Sequence, residues 1–440
     1  MKLTDLRALT SDRSILALTS VSDLIPIGGE GTQFCPPTFA ESKDKTFPEG
    51  IALTENTPQL AYDVDAGTTR VITDERGIAV PGTSVIVDTV GSQATRAETA
   101  LWNLRDELDL PGIVFRVPEK GRIRSAVDAK LKGDKTAAAR ITPSVAAEAI
   151  ARVVAAETPN LSSWTTPHRH VDGLIRLGEQ NGKTVWRDDN DLYRRIIASG
   201  PGNLGELLRL SPNSVLFGFW GSIGMPIRYR LARSFTQEVT GYGAQKIYLP
   251  ATKSTPFEFN NDVLSNDKGE VKGVAKSTGP WKKPSELGLG SVPAGRANAA
   301  TCTSIIGRGD VSLAHLRNVL RRDKGLTAEQ QTAALDALVA LAVLGRVLVL
   351  EDGFYRSGCT LVDRDTSWTA QARGRGAVKV ELPLYVDTAL ELAQEAFAHA
   401  AGVGAWGTAA DREELDISDR VLGVTVTSYI EQMTKEKAED

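Results

Sequence analysis

The sequence predicts an α+β fold. Segments with the two-residue alternation of strands and segments with the helical period are interspersed along 440 residues, long polar stretches separate them, and no repeat of fixed period joins them. Hydrophobic content of 41% and charged content of 24% fit an ordinary globular chain. The length allows two or three domains, or one elaborated domain. Residues 15–34 (ILALTSVSDLIPIGGEGTQF) predict a first strand region broken by Gly28, Gly29 and Gly31, and shorter strand-like pieces fall around 69–73 and 84–89. Residues 92–108 (SQATRAETALWNLRDEL) have the helical period, with Ala94, Ala97, Leu101, Leu104 and Leu108 on one face and Ser92 placed to cap it. A basic, turn-rich stretch over 110–140 leads into an Ala-rich helix over 137–157 interrupted near Pro143.

Residues 214–222 (SVLFGFWGS) read as a short buried strand. After them Ile227, Tyr229 and Leu231 alternate with Arg228, Arg230 and Ala232. Residues 250–300 are rich in Gly, Pro, Lys, Asn and Ser and have little apolar periodicity, which predicts a protruding β-hairpin or flexible arm. Helix returns over 312–350, with Thr327 as a cap and Glu329–Gln330 in the first turn, and the strand-like RVLVLEDGFYRSGCTLV follows.

Composition narrows the function classes. No run approaches the ~18 apolar residues of a membrane span, and MKLTDLRALTSDRS has no apolar core behind a basic start, so no secretory signal is expected. Three widely spaced cysteines, Cys35, Cys302 and Cys359, point to a reducing cytoplasm rather than a disulfide framework, and four histidines make a multi-ligand metal site improbable. The net charge of −4 argues against a nucleic-acid binder only as a sum, because the charge is segregated. Residues 113–140 carry eight Lys/Arg against three Asp/Glu, residues 228–246 carry four against one, and the C-terminal stretch is acidic. Phosphate binding needs a local basic track, and chance also produces such runs in a long chain.

Several motifs invite a chemical reading and fail on context. GVGAWG (402–407) fits a dinucleotide fingerprint but follows a helical segment instead of a strand. GSIG (221–224) lacks the first glycine of a nucleophile elbow, Trp220 standing there. His168-Arg169-His170 offers an imidazole pair without third and fourth metal ligands nearby; in a strand both histidines would share a face, as structural residues, with Arg169 free for a phosphate. Residues 312–356 imitate a winged helix, yet the recognition-helix candidate AALDALVALAVLG has no basic residue before Arg346. The helix start GSQATRAETALW places Ser92, Gln93, Thr95 and Arg96 where phosphate oxygens bind helix amides, and a capped surface helix explains it equally well.

These pieces occur in the order found in one family. GEGTQFCPPTF (29–39), containing Gln33, looks like its opening Gly-Thr-(Arg/Gln)-Phe-x-Pro segment. DTVGSQATRAETALW (88–102) is similar to its Asn-Arg-type helix, with Arg96 at the Arg position and Trp102 at the aromatic end. TTPHRHVDGLI (165–175) matches a His-Arg motif, LGSVPAGR (289–296) a Gly-x-Val-Pro-x-x-Arg segment ending at Arg296, and GFYRSGCTL (353–361) a late Arg-Cys strand. The chain resembles the RAMP-type backbone subunit of type I-U (I-G) CRISPR Cascade over roughly residues 29–361. It departs from the family at Thr95, where Asn is expected, at Ala-Gly within LGSVPAGR, and after about 365.

The resemblance implies a modified RRM-like (ferredoxin-like) palm with a helical insertion and a protruding β-hairpin thumb. Its parts would be palm over 1–110, insertion over 111–210, palm over 211–249, a thumb-like arm over 250–300, and palm completion with a C-terminal helical region over 301–440. It further implies a cytoplasmic prokaryotic protein that copolymerises head to tail along CRISPR RNA, presents it for pairing with target DNA, and contacts other Cascade subunits. No membrane, cofactor, metal or catalytic residue is expected. The residue types of a sequence-independent RNA grip are Lys, Arg and short polar side chains. They recur at Gln33, Ser92, Gln93, Thr95, Arg96, Arg169, Arg228, Arg230, Arg233, Lys246 and Arg296, while Trp281 beside Lys282 and Lys283 suits stacking on a displaced base. Two alternatives stay open: a metal-dependent RNA-cleaving relative using Asp172, and a winged-helix DNA-binding regulator over 312–360.

Overall fold

A computed structural model describes residues 1–39, 50–221, 229–248, 297–374 and 376–437. Six elements make its frame: β1 (Ile15–Pro26), α1 (Val90–Asn103), β2 (Phe235–Tyr242), β3 (Ser304–Val311), α2 (Ala328–Asp352) and β4 (Cys359–Ala372). In the sheet they lie in the order β4-β1-β3-β2, every neighbour antiparallel. This βαββαβ arrangement is ferredoxin-like, within the α+β class and as the resemblance implied. Leu53–Pro58 and Pro81–Asp88 extend the sheet beyond β2, and Phe354–Arg356 and Gly376–Val380 both pair with β4.

Both frame helices cover one face of the sheet because the strands alternate. Leu18 and Leu24 of β1 point into the main core, whereas Val21 faces the other side with Ile306 and Tyr242. That second face is covered by the hairpin Leu60–Asp63/Thr68–Val71, whose Leu60 and Tyr62 pack against it. The helices approach closely at Gly345, where an added Cβ would lie 3.3 Å from Leu101 Cδ1 and 3.5 Å from Ala97 Cβ. A Thr327–Gln330 capping box starts α2, and Gly353, left-handed at φ +55°, stops it. By length and composition α2 alone among the described helices is apolar enough to cross a membrane, yet 94% of its most apolar window is buried inside the protein. It also buries Arg346, whose guanidinium donates to Ser22 Oγ at 2.7 Å and Ser20 Oγ at 3.2 Å on β1.

Between α1 and β2 the chain forms a mainly helical lobe that includes helices Lys120–Gly133, Pro143–Glu157 and Pro212–Phe217. The C-terminus completes it. Glu413–Asp416 runs parallel to Ile113–Arg116, and Asp419–Lys437 packs on the lobe's helices with Leu422, Val426 and Ile430 buried.

Four local expectations are corrected. Residues 214–217 are helical, the strand being only Phe219–Gly221, because Pro212 starts a turn of helix whose side chains are all buried. Residues 346–352 continue α2 instead of forming a strand; a mostly buried aliphatic run carries no period to separate helix from strand. That removes the wing of the winged-helix alternative and leaves its recognition helix in the core. Residues 169–171 form a 3₁₀ turn, not a strand, so the two histidines do not share a strand face. The cap of α1 is Thr89, whose Oγ1 accepts from Ser92 N at 3.2 Å, and not Ser92. Arg228, Trp281, Lys282, Lys283 and Arg296, with nearly all of the expected arm, lie outside the described residues; its base, Gln245–Tyr248 paired with Ala297–Thr301, lies within them.

Candidate nucleic-acid interface

The start of α1 organises the first group of expected contacts. Pro81–Asp88 ends on a buried aspartate, and Asp88 Oδ2 accepts from Gln93 Nε2 at 2.7 Å and from Arg96 Nε at 3.0 Å. Gln93 is therefore turned inward. Arg96 also donates to the carbonyls of Phe354 (2.8 Å) and Tyr355 and lies over the Tyr355 ring, so its side chain is only 25% exposed. Ser92 is half-buried and Thr95 exposed on the same turn. Arg233 joins them from after the ribbon Phe219–Gly221/Tyr229–Leu231, donating to Val90 O at 3.2 Å. Its guanidinium pKa is lowered by burial and by Arg169, with Glu98 opposing.

Arg169 is not at the surface. It donates from Nε and Nη2 to the two Glu98 oxygens, each at 2.7 Å, and from Nη1 to Gly218 O at 2.9 Å. Glu98 also accepts from Asn213 Nδ2 at 2.7 Å, and Asn213 in turn donates to Ser163 O at 3.0 Å. Burial raises the Glu98 carboxyl above its ordinary value, with Arg169 and Asn213 pulling the other way. His170 is fully buried beside this pair, its Nδ1 2.8 Å from Ser214 Oγ and its ring edge-on to Phe219 at 4.5 Å. Burial and the Arg169 charge depress its pKa to about 3. The His-Arg motif thus forms a buried clasp joining α1 to the lobe and to the ribbon at Gly218. Asp172 is equally committed: its Oδ1 accepts from Leu174 N at 2.9 Å and its Oδ2 from His168 N at 3.1 Å, which makes it a helix cap. Among the described residues no three His, Cys, Asp or Glu side chains are arranged to hold a metal.

The second group gathers at the pair Gln245–Tyr248/Ala297–Thr301. Lys246 is exposed opposite Ala300, and Ala300 exchanges backbone hydrogen bonds with Phe34, beside the exposed Gln33. The hairpin 354–360 links the two groups. Arg96 binds it at Phe354 and Tyr355, and Cys35 N donates to Gly358 O at 2.8 Å. Three roles escaped the sequence reading. Glu98 and Asn213 carry no signal beyond a polar residue on an otherwise apolar stretch. Trp220, expected in a buried strand, is 67% exposed directly across from Arg230.

The frame is that of the RRM-like α+β class, with hydroxyl and cationic side chains around one helix start. A family model described as CRISPR-associated protein GSU0053 matches residues 18–246, more than half of the chain, and the chain belongs to that family. One solved chain, described as "CRISPR RNA-guided surveillance complex, pre-nicking", aligns with 94% of this chain and 100% of its own at 11% identity, with a TM-score of 0.29. No curated protein matches the sequence.

Proposed function

We propose that this chain is the RNA-binding backbone subunit of a type I CRISPR Cascade complex, of subtype I-U or I-G. In this reading copies assemble head to tail along guide RNA in the prokaryotic cytoplasm, meet other Cascade subunits, and hold the guide for pairing with target DNA without cutting it. Membership of a CRISPR-associated family supports the setting. The observation that carries RNA binding is local: Arg233, Ser92 and Thr95 stand around the start of α1, Arg230 is exposed on the ribbon that leads to Arg233, and Lys246 and Gln33 stand around the arm base, with one hairpin bonded to the helix start and to the arm base. A chain of net charge −4 repels RNA as a whole, so affinity must come from such a local surface. Hydroxyl and cationic groups contact phosphate and 2′-OH without reading bases, which suits a protein that must accept any guide. Arg228, Trp281, Lys282, Lys283 and Arg296 belong to the same proposal on sequence grounds. Arg96, Arg169 and Gln93 enter it as residues that position α1 and the ribbon.

The test is salt-dependent binding of single-stranded RNA by protein first stripped of nucleic acid. Wild type should bind at low salt, with log K falling linearly in log salt. Changing Arg230, Arg233 and Lys246 together to Gln should flatten that slope by about 2, at ~0.7 per lost phosphate contact. Absence of association at low salt would refute the reading.

A further inference from the structure

We propose that Trp220, backed by Arg230, is a base-stacking platform on the ribbon Phe219–Gly221/Tyr229–Leu231; the inference deepens the RNA-binding reading and rests on it. In this antiparallel pair Phe219 faces Leu231 and Trp220 faces Arg230. Directly opposed residues project to the same side, so the ribbon has two different faces. Phe219 and Leu231 are each 6% exposed and form the inner face, while Trp220 is 67% exposed and Arg230 is exposed beside it. An outward tryptophan beside an outward arginine offers a large π surface with a neighbouring cation, the combination that holds an unpaired base and its phosphate.

The ribbon is held in place from behind. Gly218 leads into it at φ +74°, and a Cβ there would lie 2.6 Å from Leu231 O and 2.8 Å from Arg233 N, so only glycine fits. The carbonyl of Gly218 accepts from Arg169, which Glu98 grips bidentately, and His170 closes on Phe219. A buried ion pair thus fixes the backbone that aims Trp220 outward. Arg233, two residues past the ribbon, ties it to the start of α1 through Val90 O at 3.2 Å. A stacked base is thereby set beside the helix start where the preceding reading puts phosphate. Every base has a π face, so the platform is sequence-tolerant, as a general guide holder requires.

The experiment compares full-length wild type, Trp220→Ala, Trp220→Phe and Arg230→Gln, each stripped of nucleic acid. Binding is followed by anisotropy of fluorescein-labelled unstructured single-stranded RNA over a salt series, with an abasic RNA of equal length as second probe. Trp220→Ala should weaken binding about tenfold at fixed salt without changing the salt slope, and Trp220→Phe should recover most of the loss. Arg230→Gln should reduce the slope by about 0.7. Wild type should bind the abasic probe as weakly as Trp220→Ala binds the intact one, and Trp220→Ala should not distinguish the two. If wild type binds but Trp220→Ala binds equally well, or loses affinity equally for both probes, the platform is refuted while the RNA reading stands. If wild type itself fails to bind, both fall.

Discussion

His170 sets the behaviour of the clasp in acid. Its folded pKa of about 3 lies below the 6.5 of an unperturbed imidazole, because burial and Arg169 exclude the charged form. The stability tied to the neutral ring is complete above pH ~6.5 and is lost as the pH falls toward 3, at up to ~1.4 kcal/mol per unit. Chemical denaturation at pH 7, 5 and 4 should show this decline in wild type and a shallower one in His170→Gln. Arg169→Ala should cost about 3–5 kcal/mol, since it strands the Glu98 carboxylate in the interior. Arg169→Lys should rescue little of it, because an ammonium cannot span both Glu98 oxygens and the Gly218 carbonyl. Urea midpoints of the two variants check both statements. A sequence shows that His-Arg-His exists, but not whether the arginine looks outward. That is decided by Glu98, 71 residues away along the chain, a partnership no local pattern encodes.

Elements were legible where the period was clean or the caps were explicit. The helix expected over 92–108, found over 90–103 with Thr89 as its cap, and the Thr327 capping box were readable in outline because polar and apolar residues alternate at helical spacing and cap chemistry is local. The end of α2 was not, because Val347, Leu348, Val349 and Leu350 suit either state, and only packing against other elements decides for helix. The role of the C-terminal stretch was equally hidden: Glu413–Asp416 is a strand because Ile113–Arg116 lies beside it. Leu415, Leu422, Val426 and Ile430 bury their side chains in that junction. A chain truncated before Glu413 should therefore keep the β-sheet frame but expose the lobe, with limited proteolysis cutting within 120–160 while the frame resists. Leu415→Ala in the full chain should cost about 2–5 kcal/mol by thermal or urea unfolding.

At the scale of the whole molecule, strand order defines a ferredoxin-like scaffold, and charge placement separates exposed from buried cations on it. In the proposed RNA-binding role the acidic total and the local cations would have opposite consequences, the first slowing approach at long range and the second gripping at contact. Raising salt should therefore weaken wild type far more than the triple Gln variant. The basic runs were visible in the sequence, but their sorting into exposed (Arg230, Arg233, Lys246) and inward (Arg96, Arg169) side chains follows from tertiary partners: Asp88 and the distant Phe354 and Tyr355 carbonyls for Arg96, and Glu98 for Arg169.

The pairing of Glu413–Asp416 with Ile113–Arg116 has a consequence for synthesis. About three hundred residues separate the two strands, so a ribosome working at roughly 5–20 residues per second emits the second some 15–60 s after the first. Throughout that interval the nascent lobe has its apolar junction open to water and to other nascent chains. A subunit of this design cannot finish maturing until Glu413–Asp416 has been made, and its yield should depend on whatever shields that seam in the meantime.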